Sequence, residues 1–218
     1  MAASFDPPIE TECPTPAAAW AGVRMSYDRD EEIFGEGEPA RNVYMVVSGA
    51  VRTYRVLADG RRQIVEFHLA GDVFGFDGDP THNLTAEAIG EVTLQVMRRT
   101  AFFETDRPDA PGAGHAWATL LRKLQRAEAH VIMLGRQSAC ERVASFLLDM
   151  RGRMIRAGFD GDGISLPMTR QDIADYLGLT IETVSRTFSQ LQVSGMIELP
   201  SRRSVVVRNL AAMDRICA

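Results

Sequence analysis

The sequence predicts an α+β fold with three consecutive parts: an N-terminal β-barrel of the jelly-roll type, a long dimerisation helix and a C-terminal winged helix-turn-helix. Short segments with a period of two, then a strict apolar stripe, then two short helical patterns joined by a glycine predict this order. We expect a flexible tail at 1–22, the barrel at 23–110, the dimerisation helix at 111–138 and the winged helix-turn-helix at 139–218.

Composition narrows the class of protein. The chain has 218 residues, 45% of them hydrophobic, and its net charge is -5. No apolar run could cross a bilayer, and no secretion signal opens the chain. Its cysteines, Cys13, Cys140 and Cys217, lie far apart, so we expect no disulfide framework, no metal and no cofactor. A reducing cytoplasm fits this pattern, with no membrane partner.

The barrel is predicted from four strands that follow a tail rich in proline, alanine and acidic residues. The strands are 43–47, 50–57, 63–69 and 92–97, and turn residues separate them. Asp59-Gly60 between two strand patterns indicates a hairpin. Short strands at this spacing suggest a small sandwich or barrel.

A breaker-rich joint at 107–112 precedes the long helix. Beyond it, apolar residues step by three and four, which is the pattern of a heptad seam: Trp117, Leu120, Leu124, Ala127, Val131 and Leu134. The helix could lie on its own barrel, but so narrow a stripe flanked by polar residues favours a partner helix. We therefore expect a homodimer, with a hinge at 135–138.

The segment after the hinge begins the C-terminal part. A helix is expected with Val143, Ala144, Phe146, Leu147 and Met150 inward, and Cys140 near its start is expected to be a buried small side chain. The loop 158–163 lacks the downstream glutamate of a calcium loop and is interpreted as a flexible connection.

Two short helices then meet at Gly178. The first runs from about Arg170 to Leu177, and Thr169 caps it with Asp172 three residues later. The second begins after Thr180, and its inward stripe steps by three and four residues: Ile181, Val184, Phe188 and Leu191. A glycine can adopt positive φ at the turn. This is a helix-turn-helix pattern.

The exposed face of the second helix carries groups that can read DNA. Glu182 can accept from cytosine N4, Arg186 can donate to guanine O6 and N7, and Ser185 can reach a base or a phosphate. We add Ile181 to this base-reading set. Glu182 and Arg186 could instead be a surface ion pair, but their place on this helix favours DNA contact.

A second set of residues is expected to contact the DNA backbone. It comprises hydroxyls and basic groups at helix starts and on the recognition helix, together with two arginines of a wing hairpin: Thr169, Arg170, Thr180, Thr183, Ser189, Arg202 and Arg203. The wing strands are 196–199 and 204–207, around the turn 200–203. Each wing arginine, taken alone, could equally be part of a solvated basic turn.

The run IFGEGEPARNVYMVVSGAVRTYRVLADGRRQIVEFHLAGDVFGF resembles the cyclic-nucleotide-binding-type barrel of the Crp–Fnr transcription regulators. Barrel, long helix and winged helix-turn-helix occur in the order of that family over residues 23–210, and in the family the long helix is the dimer interface. Members that bind cyclic AMP carry a Gly-Glu pair followed by an Arg-Ser or Arg-Thr pair. Here Gly71-Asp72 is present, but the arginine is missing, and Asp77 and Asp79 would repel a phosphate.

The resemblance also allows the sensor groups of related regulators to be compared with this sequence. His68 and His82 have no second ligand at helical spacing, so a metal or haem is not expected, and Cys13 lacks the partners of an iron–sulfur cluster. The chain is therefore most similar to the FixK-like branch, whose E-x-x-S-R pattern it matches at 182–186.

The resemblance implies a palindromic site close to TTGAT-N4-ATCAA, contact with RNA polymerase, and control of genes for low-oxygen respiration or nitrogen metabolism. A sensor gated by a small molecule in the barrel is the alternative. No catalytic constellation supports an enzyme.

Overall fold

The computed structural model describes residues 22–76, 78–105, 115–159 and 162–217. They belong to two compact units, one within Ile9–Ala129 and the other containing His130–Ala218. The division falls inside one long helix, so the domain boundaries expected at 110 and 138 stay a prediction. Within the described residues, no helix combines the length and the apolar character needed to cross a bilayer.

The first unit is built on two antiparallel sheets of four strands. Its strands are β1 (Val23–Tyr27), β2 (Glu32–Phe34), β3 (Asn42–Ser48), β4 (Ala50–Val56), β5 (Arg62–Leu69), β6 (Val73–Phe74), β7 (Thr85–Ala88) and β8 (Val92–Arg98). The sheet orders are β1-β8-β3-β6 and β2-β7-β4-β5. Helix α1 (Arg99–Thr105) follows, and then α2 (His115–Arg136). The predicted barrel of the jelly-roll type is confirmed.

The core of this unit lies between the two sheets. Alternate residues of both sheets meet there, among them Phe34, Tyr44, Val51, Phe74 and Leu94. The other face of β3 packs in a second cluster that includes Phe102 of α1. Both faces of β3 are covered. Its sequence is therefore a continuous apolar run and does not alternate between apolar and polar residues.

The second unit contains the end of α2 and the C-terminal elements. These are α3 (Ala139–Arg156), β9 (Gly163–Ser165), α4 (Arg170–Leu177), α5 (Ile181–Val193), β10 (Ile197–Ser201), β11 (Ser204–Val207) and α6 (Leu210–Cys217). The strands form one antiparallel sheet in the order β10-β11-β9. Pro200 lies in β10, an edge strand with an irregular register, where a missing N–H is tolerated.

The expected elements occur, with seven additions. The four predicted barrel strands, the hairpin at Asp59-Gly60, the two short helices and the wing are confirmed. Helices α1 and α6 and strands β1, β2, β6, β7 and β9 were not expected. Gly163, assigned to a flexible connection, instead begins β9, which pairs with β11. The tail 1–21 with Cys13, the joint 107–112 and Asp77 lie outside the described residues.

Candidate nucleic-acid interface

The start of α4 is fixed by a reciprocal cap. The Thr169 hydroxyl accepts from the Asp172 backbone N–H at 3.1 Å and donates to the Asp172 carboxylate at 2.7 Å. That carboxylate also accepts from the Thr169 backbone N–H at 2.9 Å. Two N–H groups that an isolated helix would leave unsatisfied are therefore bonded, and α4 begins at Arg170 as predicted.

The turn between α4 and α5 depends on the conformation of Gly178. Its φ is 62°, in the left-handed region, and its N–H donates to the Ala174 carbonyl. A Cβ added there would lie 3.6 Å from atoms of Leu134 and Arg142, which is an ordinary contact. The backbone conformation, and not lack of space, therefore calls for glycine. Helix α5 begins at Ile181, where the Thr180 hydroxyl accepts from the Thr183 N–H at 3.2 Å.

Packing of α4 against α5 determines which face of α5 points outward. Most of the two predicted apolar stripes is almost completely buried, namely Ile173, Ala174, Leu177, Val184, Phe188 and Leu191. The placement of Ile181 in the inward stripe was wrong, because this side chain begins the helix and stays exposed. Glu182, Ser185 and Arg186 are exposed on the other face, and Ile181 is 37% exposed at the start of the helix. The four residues expected to read bases therefore share the accessible side of α5. Whether they contact DNA stays a prediction.

Arg186 is available for a contact outside the chain. Its attraction to Glu182 is one of several causes that lower the pKa of that carboxyl, after hydrogen bonds with the backbone of Glu182 itself and with the Thr180 side chain. Within the described ranges, Arg186 makes no hydrogen bond or ion pair. The surface ion pair that offered an alternative interpretation is therefore not formed.

Several hydroxyls of the expected backbone set are already engaged. The Thr169 proton goes to Asp172, and the Thr180 and Thr183 hydroxyls lie 3.1 Å apart and share a hydrogen bond. The Ser189 hydroxyl donates to the Ser185 carbonyl at 3.1 Å. The donors left for a phosphate near α4 and α5 are therefore mainly the first-turn N–H groups that the caps leave unbonded, since those of Asp172 and Thr183 are engaged.

Arg170 has a different environment from the one expected. Its guanidinium carbon lies 3.4 Å from the centre of the Phe188 ring, and burial lowers its pKa to about 10. This position favours packing between α4 and α5 over an extended reach to a phosphate. Arg170 could therefore contact the DNA backbone, as expected, only if its side chain moved away from the Phe188 ring.

The wing presents two cations whose side chains make no hydrogen bond or ion pair within the part of the chain that the structure describes. Arg202 and Arg203 are exposed at the turn between β10 and β11. The backbone of Arg203 is held by Ser201 and by Leu166, at 3.2 and 2.8 Å, so the turn is anchored while the side chain extends outward. By contrast, Arg208 is paired with Glu198, with its Nε 2.9 Å from the carboxylate.

Arg142 organises the helix-turn-helix and was missed from the sequence. Its guanidinium donates to three backbone carbonyls: Leu134 at 2.8 Å, Leu177 at 2.9 Å and Gln137 at 2.9 Å. These lie near the ends of α2 and α4, where carbonyls lack helical partners. An arginine in the first turn of a helix carries no pattern that distinguishes it from a surface charge.

Helix α2 carries an apolar face without cover in the single chain. Trp117, Leu124 and Val131 are 64%, 56% and 70% exposed, and Ala127 is also exposed. Leu120 and Leu134, the other members of the predicted seam, are half-buried. On another side of the same helix, Met133 is buried and His130 stacks on Tyr176 at 4.2 Å.

The histidines and Cys140 have ordinary structural environments. His68 stacks on Phe74 and bonds Thr53 at 3.1 Å, and His82 stacks on Phe34 at 3.6 Å. Among the described residues, no group of three or more His, Cys, Asp or Glu could hold a metal ion. Cys140 is half-exposed, and its pKa is raised by burial and by Glu141 and Cys217. The expectation of full burial was wrong, but a protonated thiol is weakly reactive.

Comparison with known proteins gives matches in both units. Residues 24–105 match a family described as cyclic nucleotide-binding domain, and residues 141–216 match the Crp-like helix-turn-helix domain. The nitrogen fixation regulation protein FixK of Azorhizobium caulinodans is 43% identical over 95% of this chain and 84% of its own.

Two further similarities cover most of the chain. The transcriptional activatory protein AadR of Rhodopseudomonas palustris is 43% identical over 79% of this chain and 72% of its own. The solved structure of FixK2 from Bradyrhizobium japonicum superposes with a TM-score of 0.84 at 45% identity, and covers 91% of this chain and 98% of that one.

Proposed function

Because the chain belongs to the Crp–Fnr family of transcription regulators, in its FixK-like branch, we propose that it binds a palindromic promoter site as a homodimer and activates transcription. The site we expect is close to TTGAT-N4-ATCAA. Activation is supported by the similarity to AadR, a transcriptional activatory protein.

The outward face of α5 is the observation that carries the proposal. Arg186 is exposed and has no partner in the described chain, and Glu182 stands one turn before it with its pKa lowered, so both charges are available. An arginine and a carboxylate on one helix face can read guanine and cytosine in the major groove. Helix α4, crossing behind α5, positions that face as the recognition helix of a helix-turn-helix.

Other groups would hold the protein on the backbone without reading sequence. The wing arginines Arg202 and Arg203 and the first N–H groups of α4 and α5 face outward and can meet phosphates. We keep Thr169, Arg170, Thr180, Thr183 and Ser189 in this set as positions near the backbone. Their engaged side chains indicate that main-chain donors do most of the binding there.

The homodimer is supported by the uncovered face of α2. Apolar residues at heptad spacing, exposed in the single chain, gain burial when two such helices pack together. A two-fold axis along this seam would present two recognition helices to half-sites about 34 Å apart, which requires a palindrome. We also propose that the protein works in the cytoplasm, contacts RNA polymerase, and controls genes of low-oxygen respiration or nitrogen metabolism.

We propose that DNA binding requires no effector in the barrel. The arginine that follows the Gly-Glu pair in members that bind cyclic AMP is missing after Gly71-Asp72, and the Asp72 and Glu66 carboxylates are paired with Arg126. Asp79 was also expected to repel a phosphate. It is exposed on the surface, so its charge is not part of the acidic pair formed by Asp72 and Glu66.

Fluorescence anisotropy with labelled duplexes tests the proposed function. The purified protein should bind the full palindrome far more tightly than a duplex with one half-site scrambled, in buffer without any nucleotide. Equal affinity for the palindrome and for a fully scrambled duplex would contradict sequence-specific binding. Binding that appears only after a small molecule is added would favour the gated sensor.

A further inference from the structure

An ionic cluster joins helix α2 to the barrel within the first unit. The Arg126 guanidinium lies 3.2 Å from the Asp72 carboxylate through two of its nitrogens, and 3.3 Å from Glu66. The second Asp72 oxygen accepts from the Leu69 N–H at 2.9 Å. Asp72 is thus held on both sides, by the last residue of β5 and by the helix.

The Glu66 carboxylate belongs to the inner face of its sheet. Across β4 and β5, Glu66 is opposite Thr53 and His68 is opposite Val51, and opposed residues of an antiparallel pair point to the same face. Val51 is part of the core between the sheets, and Thr53 bonds His68, which is 2% exposed. Glu66 therefore stands at the edge of the barrel interior and not on its outer surface.

The charge balance of the cluster determines what it can hold. Two carboxylates, 15% and 17% exposed, face one guanidinium that is 30% exposed. Burial acts to lower the pKa of Arg126, but Asp72 and Glu66 outweigh it and raise that pKa. Arg126 is the guanidinium partner of both carboxylates, and His68 Nδ1 lies 4.0 Å from Glu66, so the site favours a cation and disfavours a phosphate. Two Arg126 nitrogens converge on one Asp72 oxygen and one of them also reaches Glu66, a set of donors that a planar guanidinium presents at fixed angles.

We propose that Glu66 and Asp72 form a guanidinium-binding site that the chain fills with its own Arg126, which holds α2 on the barrel in place of an added effector. The inference rests on the proposed effector-independent DNA binding. It deepens that proposal by naming the contact that makes an effector unnecessary. A ligand in the barrel of a gated regulator would do the same work by binding one orientation of the helix more tightly than another.

Arg126→Ala opens the site, and methylguanidinium chloride serves as the probe to fill it again. Hydrogen exchange of the described part of α2 reports the helix, and anisotropy on the palindrome reports DNA binding. The matched control is Arg122→Ala, one turn earlier, since Arg122 is exposed and, among the described residues, its guanidinium donates only to the Thr119 hydroxyl at 3.1 Å. Tetramethylammonium chloride at the same concentration controls for ionic strength.

We expect Arg126→Ala to speed exchange in α2 and to weaken DNA binding by about tenfold, a coupling typical of linked sites. Methylguanidinium should reverse both changes in part and with saturation, while tetramethylammonium should not. Arg122→Ala should behave like the unaltered protein. Exchange in Arg126→Ala that matches the unaltered protein, or equal effects of the two salts, would overturn the proposal.

A second variant keeps the test decisive if Arg126→Ala fails to fold. The double change Glu66→Gln with Asp72→Asn removes the site instead of its occupant, and it should speed exchange in α2 in the same way. Unchanged exchange there would also overturn the proposal. Failure of the unaltered protein to bind the palindrome would instead refute the proposed function, and the exchange experiment would still decide whether Arg126 holds the helix.

Discussion

Replacing Val131 with aspartate tests the dimer seam of α2. Val131 is 70% exposed in the single chain, so Val131→Asp should leave the folding of that chain almost unaffected. In a dimer, two valines would lose burial worth about 1.5 kcal/mol each, and two carboxylates would be buried without partners. A total of several kcal/mol corresponds to a dimer dissociation constant raised at least about 100-fold.

Sedimentation velocity at micromolar concentration measures this effect, and Ala129→Asp is the matched control. Ala129 is exposed on the same helix but lies off the heptad stripe, so the same charge there should leave the dimer intact. We expect a monomer for Val131→Asp and a dimer for the control. A Val131→Asp protein that sediments as the unaltered one does would refute the coiled-coil assignment.

Three further predictions concern the effector, the stability of the second unit and the wing. Cyclic AMP should leave the melting temperature and DNA affinity unchanged, because the arginine that follows the Gly-Glu pair in members that bind cyclic AMP is missing after Gly71-Asp72; a saturable rise in melting temperature would contradict this. Arg142→Met should lower the free energy of unfolding in urea by about 3 kcal/mol, since three carbonyls lose a charged donor; a loss near zero would mean that water replaces it. Removing Arg202 and Arg203 together should weaken binding to all sequences alike and reduce the salt slope by about one unit per contact per subunit; a loss confined to particular base pairs would be inconsistent with phosphate contact.

Elements with a strong local signal could be predicted from the sequence. Thr169 and Asp172 predict the start of α4, and Gly178 predicts its end. Few residue types can form a helix cap or adopt the left-handed conformation of the turn, so these positions are recognisable in the sequence. The heptad stripe predicts a long helix for the same reason, since its period is a property of the helix itself.

Elements that depend on distant parts of the chain could not be predicted. Strand β9 has only three residues, and it exists because β11 supplies its hydrogen bonds. The roles of Arg142 and Arg126 depend on carbonyls and carboxylates brought close by the fold, and neither arginine stands in a pattern of its own. Arg170 belongs to the same class, because its position over Phe188 follows from how α4 crosses α5.

The central claim is that the outward face of α5 reads base pairs, and Arg186→Ala tests it most directly. Affinities for the palindrome and for each single-base variant should be measured for this protein and for Arg203→Ala. We predict that Arg186→Ala costs roughly 1–3 kcal/mol per half-site and abolishes the preference at one base pair, while Arg203→Ala weakens all duplexes equally. A uniform loss for Arg186→Ala, with every base preference retained, would contradict the assignment of α5 as the reading helix.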